Sequence, residues 1–321
     1  MNEKKAWFFM SRIYSLFSFL FISFMTGALL PSCKDFEGNQ TVPAYIRIDS
    51  IGLSCDYYTY GANTSNFSDA WVYIDDKIQE GGPVELPAVL PVLAQGKHKI
   101  SIRAGINVNG IKNTKADYSF VSTLEYQDIN LVPDSIITLT PVVSYYPNGE
   151  NLHVRWLEDF DSGSVSLVRT SGSDTSMMRV SGPLAWHDAG GIYSTYSGKV
   201  VLTSDTMQFT VATVEEFADV PSKGSPCMLE MDYKCSDTLL MGLIFQNGVL
   251  PTEYPVLRIR PTGESGQEPT KWNKIYINVG PYLVDNEGYD YFKIYFASWA
   301  LRNDGPQYFY FDNLKLIYRD R

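Results

Sequence analysis

The chain has 321 residues, of which 45% are hydrophobic, and a formal net charge of -10 at pH 7. This length predicts about two domains of ordinary size, each with enough apolar residues to form a core. The excess of acidic side chains argues against nucleic acid as a partner.

The first 32 residues have the order of an export signal. Three basic side chains precede an almost wholly apolar stretch from residue 13 to residue 30, and Cys33 follows directly after Ser32. A basic flank, an apolar run and a small residue before the cleavage point are typical of a cleaved signal sequence, and an uncleaved anchor of about 20 apolar residues is the alternative. The pattern resembles the lipoprotein box of bacteria, which implies cleavage after residue 32 and acylation of Cys33, for example by palmitate.

The residues after Cys33 bear on where the protein is delivered. Residues 34 to 37 read Lys-Asp-Phe-Glu, which resembles the acidic surface-export tag of lipoproteins in the Bacteroidetes phylum. The resemblance implies a lipid-anchored protein on the surface of the cell outer membrane. Acyl chains contribute about 0.8 kcal/mol per buried CH₂, so such an anchor needs no spanning segment. The alternative is a solvated acidic linker that faces the periplasm.

The other cysteines lack the spacing of a disulfide or a metal site. In residues 227 to 235 apolar side chains alternate with mostly polar ones, which predicts one half-buried strand with Cys227 and Cys235 at its ends. Eight steps of extended chain separate the two thiols by about 26 Å, whereas a disulfide needs Cα atoms about 5.5 Å apart. We therefore predict that both are free thiols on the core face and that Cys55 is a lone thiol.

The rest of the chain predicts a β-rich fold. Between Tyr45 and Tyr318, runs of β-branched and aromatic residues are punctuated by Gly, Pro, Asn and Asp, without helical spacing over ten residues or more. This pattern predicts an all-β protein with two β-sandwich domains, a small one followed by a jelly roll of about eight to ten antiparallel strands. The predicted organisation is a signal peptide at 1–32, a lipidated tether at 33–43, the small sandwich at 44–146 and the jelly roll at 147–321.

Several segments resemble known β-sandwich families. Residues 159–163, 271–277 and 311–316 resemble the jelly-roll domains of carbohydrate-binding modules. Residues 69–74 and 105–111 resemble an immunoglobulin-like or transthyretin-like module found ahead of such domains in Bacteroidetes surface lipoproteins. Jelly rolls host many functions, so the ligand has to be argued from the site itself.

The resemblance also implies a structural Ca²⁺ that ties the first strand of the jelly roll to the last. The matching positions are Asp161 and Asp312. Calcium takes about six to eight oxygen ligands, so backbone carbonyls and water would complete such a site. The alternative is that Asp161 forms a turn and Asp312 caps a strand end.

Strand alternation suggests a ligand-binding face in the second half of the chain. Trp272, Tyr276 and Asn278 share one face of a strand at 272–279. A pyranose needs an apolar plate for its C–H face and hydrogen-bonding groups for its hydroxyls. If the strands are neighbours, the same surface would include three further outward residues, Tyr295, Trp299 and Arg258. Aromatic residues are common in any strand, so the alternative is that these side chains pack against the first domain.

These observations favour a non-enzymatic surface lipoprotein that binds a glycan or glycosylated surface through its jelly roll. The alternative is an accessory subunit of an outer-membrane complex for nutrient uptake or type IX secretion. An enzyme is disfavoured, because the sequence has no G-x-S-x-G elbow and the three acids at 158, 159 and 161 are typical of a solvated turn.

Overall fold

The computed structural model describes residues 42–79, 81–187, 194–300 and 305–320. The predicted signal peptide and Cys33 lie outside the described residues. Within these ranges the helical segments are short: α1 (Tyr57–Tyr60), α2 (Gly280–Asp285) and a 3-10 turn at Gly182–Leu184. No helix in this part of the chain combines the length and the apolar character that a membrane crossing requires. Strands make up nearly all of the other secondary structure, which confirms the all-β prediction.

A first β-sandwich is formed by the amino-terminal strands. They are β1 (Ala44–Ile48), β2 (Gly52–Leu53), β3 (Asp69–Ile74), β4 (Lys77–Ile78), β5 (Val84–Glu85), β6 (Ala88–Val92), β7 (Gly96–Asn107), β8 (Lys115–Asp117), β9 (Leu124–Leu131), β10 (Ile136–Leu139) and β11 (Val142–Val143). One sheet has the order β4-β3-β7-β8, with β5 beside β3 and β9 beside β7. The other layer consists of β10-β1-β6 and the pair β11-β2.

Alternation of apolar and polar residues places the core of this sandwich. In β1, Ala44, Ile46 and Ile48 are buried, whereas Arg47 between them is exposed. Ile102 of β7 belongs to the same hydrophobic cluster. Side chains along a strand point alternately to its two faces, so this pattern buries one face of each layer against the other.

A second, larger β-sandwich follows. Its strands are β12 (Leu152–Glu158), β13 (Leu167–Arg169), β14 (Met178–Ser181), β15 (Tyr196–Leu202), β16 (Gln208–Thr213), β17 (Cys227–Cys235), β18 (Leu239–Asn247), β19 (Leu250–Ile259), β20 (Asn273–Asn278), β21 (Tyr291–Trp299) and β22 (Gln307–Arg319). The first sheet, here sheet I, has the order β14-β15-β22-β17-β20, with β12 also beside β22. Sheet II has the order β13-β16-β21-β18-β19.

All strand pairs of the two sheets are antiparallel. A hydrophobic cluster lies between them and contains, for example, Leu229 and Phe309 of sheet I and Met241 and Phe296 of sheet II. This arrangement confirms the predicted sandwich of jelly-roll type.

Strand β17 carries the predicted thiols. Cys227 and Cys235 stand at its two ends, both are fully buried in the core, and both are free. The prediction for this pair is therefore confirmed. Cys55 is also a free thiol, and it is only half buried.

The two sandwiches pack together, and residues 43–321 form one compact unit. The backbone N–H of Asn109 donates to the carbonyl of Tyr276 at 2.8 Å, and the N–H of Asn278 donates to the side-chain oxygen of Asn109 at 2.9 Å. Met228 and Ile317 of sheet I belong to the hydrophobic cluster of the first sandwich. The first sandwich therefore covers part of the outer face of sheet I.

Candidate functional site

The outer face of sheet I is polar, although much of it is buried. In β17 the core-facing residues alternate with Glu230, Asp232 and Lys234, which are at most 3% exposed. Lys274 of β20 and Lys315 of β22 are buried on the same face. Charged groups are rarely buried unless they are paired, so each of these side chains is expected to have a partner of opposite charge or a hydrogen-bond partner.

Glu230 forms the centre of the covered part of this face. Its Oε1 accepts hydrogen bonds from the hydroxyls of Tyr118 and Tyr145, at 2.5 and 2.7 Å. Its Oε2 lies 3.2 Å from Nζ of Lys274 and 3.9 Å from Nζ of Lys315. Burial by itself raises the pKa of Glu230, but the two ammonium groups and the two hydroxyls outweigh it and lower the pKa to about 2.

Asp232 and Lys274 continue this network toward solvent. Oδ2 of Asp232 accepts a 2.8 Å hydrogen bond from the side-chain amide of Asn313 and lies 3.9 Å from Nζ of Lys274. Nζ of Lys274 also donates to the hydroxyl of Thr64 in the first sandwich at 2.8 Å. Asn313 has a left-handed φ of 48° and stands at the register shift between β17 and β22. This bulge turns its amide toward Asp232.

A cleft opens where the first sandwich stops covering sheet I. Adjoining cavities of about 760, 670 and 460 Å³ form it, and we call it the inter-sandwich cleft. Its walls are the loop at 61–66 of the first sandwich with Cys55 and Tyr57, the segments 182–184, 186–187 and 268–274, and Asp161, Ser194, Asp232 and Lys234. These cavities have the size of ordinary small-ligand sites.

Trp272 and Lys234 form an aromatic and cationic part of this cleft. Nζ of Lys234 lies 4.8 Å from the ring centre of Trp272 and 4.4 Å from that of Tyr310, and the two rings meet edge to face. Nζ of Lys199 lies 2.6 Å from Oε1 of Glu268, which also accepts from the Tyr310 hydroxyl. The hydrogen bonds from Lys199 and Tyr310 hold the pKa of Glu268 below its usual value.

Trp186 is a second indole in the cleft, and its position depends on Asp312. Oδ2 of Asp312 accepts from the Ser197 hydroxyl, whose oxygen accepts a 2.7 Å hydrogen bond from the backbone N–H of Trp186. Burial raises the pKa of Asp312 well above its usual value, although the hydrogen bond from Ser197 lowers it in part. Asp312 thus positions the segment that carries Trp186.

The predicted ligand-binding residues occupy different surfaces. Trp272 lines the cleft and is partly exposed. Tyr276 lies on the same face but is only 2% exposed, because it stacks on Phe67 and packs against Tyr118 of the first sandwich. Asn278 lies beside the Asn109 contact described above and is partly buried. Tyr276 therefore packs against the first domain, as the alternative interpretation stated.

The other three residues lie on sheet II. Tyr295 and Trp299 belong to β21 and Arg258 belongs to β19, and all three point away from the core. Tyr295 is 2% exposed because its ring lies on Gly242, whereas Trp299 is 42% exposed. The predicted ligand-binding face required β20 and β21 to be neighbours, and this is wrong, because β20 belongs to sheet I and β21 to sheet II. The hydrophobic core separates the outer faces of the two sheets. The six residues therefore do not form one surface.

The two proposed calcium ligands already have hydrogen-bond donors from the chain. Oδ1 of Asp161 accepts from the N–H of Tyr196 at 2.9 Å, and its Oδ2 lies 3.4 Å from the Tyr57 hydroxyl. Oδ1 of Asp312 accepts from the N–H of Asn313 at 2.7 Å. In the described ranges, no group of three His, Cys, Asp or Glu side chains is placed to hold a metal ion. Calcium binding at Asp161 and Asp312 stays a prediction.

Sequence analysis missed Trp186, Lys234 and the loop at 61–66. The outward position of Lys234 was available from the alternation in β17. Neither Trp186 nor the loop belongs to a strand, so no periodic signal marked them.

Comparisons with known proteins give structural similarity only. No protein-family model matches the sequence, and no curated protein matches it. A carbohydrate-binding module of the β-sandwich superfamily is 12% identical, with 77% of this chain and 84% of that chain covered and a TM-score of 0.34. The family 11 carbohydrate-binding module of a cellulosomal cellulase of Clostridium thermocellum is 18% identical, with 50% and 92% covered and a TM-score of 0.32. All these TM-scores are below 0.5, so the similarities do not decide the ligand.

Proposed function

We propose that this protein is a non-enzymatic glycan-binding protein whose ligand occupies the inter-sandwich cleft. The observation that carries the proposal is the position of Trp272 in a cavity of about 760 Å³ otherwise lined mainly by polar side chains. Amide and hydroxyl groups from 63–66, 270 and 273 line the same cavity as this indole. An indole plate beside such groups provides the two kinds of contact that a sugar ring needs.

The composite construction of the cleft supports a defined binding site. One wall belongs to the first sandwich, and the Glu230 network holds that wall against sheet I. The side-chain amide of Asn66 donates to the carbonyl of Lys274 at 3.1 Å, which ties the loop directly to β20. Groups held in place before binding lose less conformational entropy when the ligand binds.

The test is glycan binding by the full chain in mild detergent, on a glycan array and by polysaccharide pull-down. We expect binding to at least one glycan and a loss of roughly 5- to 30-fold in Trp272→Ala, since the ring contact and the apolar area that it buries together contribute about 1 to 2 kcal/mol. Trp299→Ala is the matched control, because this exposed Trp lies on sheet II. Equal binding by wild type and Trp272→Ala, or loss only in Trp299→Ala, would contradict the proposed site.

We also propose that the protein is anchored to the outer membrane by acyl chains on Cys33 and displayed on the cell surface. The support is the order of residues 1 to 37. Palmitate labelling of the wild type, with loss of both label and membrane attachment in Cys33→Ala, is the expected result. A membrane-bound, unlabelled and unprocessed protein in both forms would contradict it.

The rival function is an accessory subunit of an outer-membrane complex. The observation in its favour is the exposed apolar turn between β18 and β19, where Val249 is 92% and Leu250 76% exposed. Co-purification with an outer-membrane barrel protein, lost in Val249→Ser with Leu250→Ser, and no affinity for any glycan, would favour this function over the first.

A further inference from the structure

Lys234 is a buried cation without an anionic partner. The residue is 3% exposed and lines the cavity of about 670 Å³ in the inter-sandwich cleft. Among the described residues, no acceptor makes a hydrogen bond with its Nζ, and no carboxylate lies within ion-pair distance. Its contacts are the rings of Trp272 and Tyr310. Cation–π contacts attract the ammonium group but do not satisfy its N–H donors.

The other lysines of this face differ from Lys234. Lys274 and Lys315 approach Glu230, and Lys199 pairs with Glu268. Glu268 lines the same cavity as Lys234, but it already accepts from Lys199 and from the Tyr310 hydroxyl. Burial lowers the pKa of Lys234, which Glu268 only partly offsets. The fold therefore leaves the ammonium group of Lys234 at the cavity without an anionic partner among the described residues.

An ammonium group at a cavity that lacks an acceptor is satisfied when a ligand supplies one. The ring of Trp272 lies 4.8 Å from Nζ of Lys234, and Trp272 lines the adjoining cavity, so a ligand bound beside this indole lies close to the ammonium group.

We propose that the inter-sandwich cleft selects acidic sugars, with a sugar carboxylate accepting a hydrogen bond from Nζ of Lys234 beside the Trp272 ring. This inference rests on the proposed glycan binding and specifies its ligand class. A carboxylate carries the charge that complements this ammonium group, and charge-assisted hydrogen bonds are stronger than neutral ones. The primary alcohol of a neutral hexose has no charge to complement the ammonium group.

The test compares acidic polysaccharides with their carboxyl-reduced forms, in which each carboxylate becomes a primary alcohol. Polygalacturonate, alginate and hyaluronan are the probes, and the full chain in mild detergent is the protein. We expect at least one acidic form to bind roughly 10- to 100-fold more tightly than its reduced form, since a hydrogen bond to a charged group contributes that much. Lys234→Met should reduce this ratio to about twofold and keep the affinity for the reduced form, while Lys234→Arg should retain a preference.

Lys223→Met is the matched control, because Lys223 lines none of the three cavities and its removal changes the net charge equally. A preference that survives in Lys234→Met, or that falls equally in Lys223→Met, overturns the inference. Equal binding of acidic and reduced forms by the wild type overturns it and leaves glycan binding in place. Absence of binding to every acidic, reduced and neutral glycan overturns both proposals. The wild-type ratio decides the ligand class even if Lys234→Met does not fold.

Discussion

The hydroxyl of Tyr145 donates a 2.7 Å hydrogen bond to the carboxylate of Glu230, which is 0% exposed. Tyr145 follows the last strand of the first sandwich, and Glu230 lies in the middle of β17. Nζ of Lys315 lies 3.0 Å from the same hydroxyl, so the contact belongs to a network with charges of both signs. The junction between the sandwiches therefore depends on the pairing of buried charged and polar groups.

Replacement of Glu230 by Gln should strongly destabilise the protein. The variant keeps the shape of the side chain but leaves the ammonium groups of Lys274 and Lys315 without their shared carboxylate. Breaking a buried ion pair costs about 3 to 5 kcal/mol of unfolding free energy. We expect a loss near the lower end, because Lys274 keeps the carboxylate of Asp232 nearby. Urea unfolding measures the change. Glu253→Gln is the control, because Glu253 is exposed and such surface changes stay within about 0.5 kcal/mol. Equal unfolding midpoints for the two variants would contradict this account.

The same carboxylate should make stability fall in acid. The pKa of Glu230 is about 2 in the folded protein against an ordinary value of 4.5. A lowered pKa stabilises the fold at pH values above 4.5, and this contribution is lost as the pH falls toward 2. We expect the difference in unfolding free energy between wild type and Glu230→Gln to shrink by about 3 kcal/mol over this range.

This difference isolates Glu230 from the other buried acids. Burial raises the pKa of Asp232 and of Asp312, so their contribution to stability has the opposite dependence on pH. Both are present in wild type and variant, so the part of their effect that does not depend on Glu230 cancels. A difference that stays constant from pH 5 to pH 2.5 would show that Glu230 does not titrate as its surroundings indicate.

The strands could be predicted from the sequence because their signal is local. Cys227, Leu229 and Met231 alternate with Met228 and Glu230, and this alternation alone places the two sets on opposite faces. The same reasoning correctly turned Tyr295 and Trp299 away from the core. Local alternation contains no information on which strands are neighbours, so β20 and β21 were placed on one surface although they belong to opposite sheets.

The candidate site was only partly predictable, for a similar reason. Trp272, which directly precedes β20, and Tyr276 within it have equivalent positions in the alternation, yet only Trp272 lines the cleft. The difference arises from Phe67 and Tyr118, which lie more than 150 positions earlier in the chain and cover Tyr276. Such long-range packing leaves no periodic trace in either segment.

Replacement of Gly242 by Ala should destabilise sheet II. A Cβ at this position would lie 2.4 Å from Cε1 and 2.5 Å from Cζ of Tyr295. The ring must then leave its place on the strand, and overpacking of this kind costs about 1 to 3 kcal/mol. Thermal or urea unfolding measures the loss. Gly163→Ala is the control, because a Cβ there meets no atom within 4 Å. If Gly242→Ala unfolds like Gly163→Ala, then Tyr295 does not lie on Gly242 in solution.

The free cysteines should react with thiol reagents in a fixed order. Burial raises the pKa of all three thiols of the described residues, and it raises that of Cys235 to about 12. Cys55 is half buried and lines the inter-sandwich cleft, whereas Cys227 and Cys235 are inaccessible in the core. The thiolate is the reactive form, so at pH 8 all three should react slowly and Cys55 first. Peptide mapping after iodoacetamide treatment should find Cys227 and Cys235 modified only once urea unfolds the protein. Early modification of either one, or a disulfide between them, would mean that β17 is not the continuous buried strand described above.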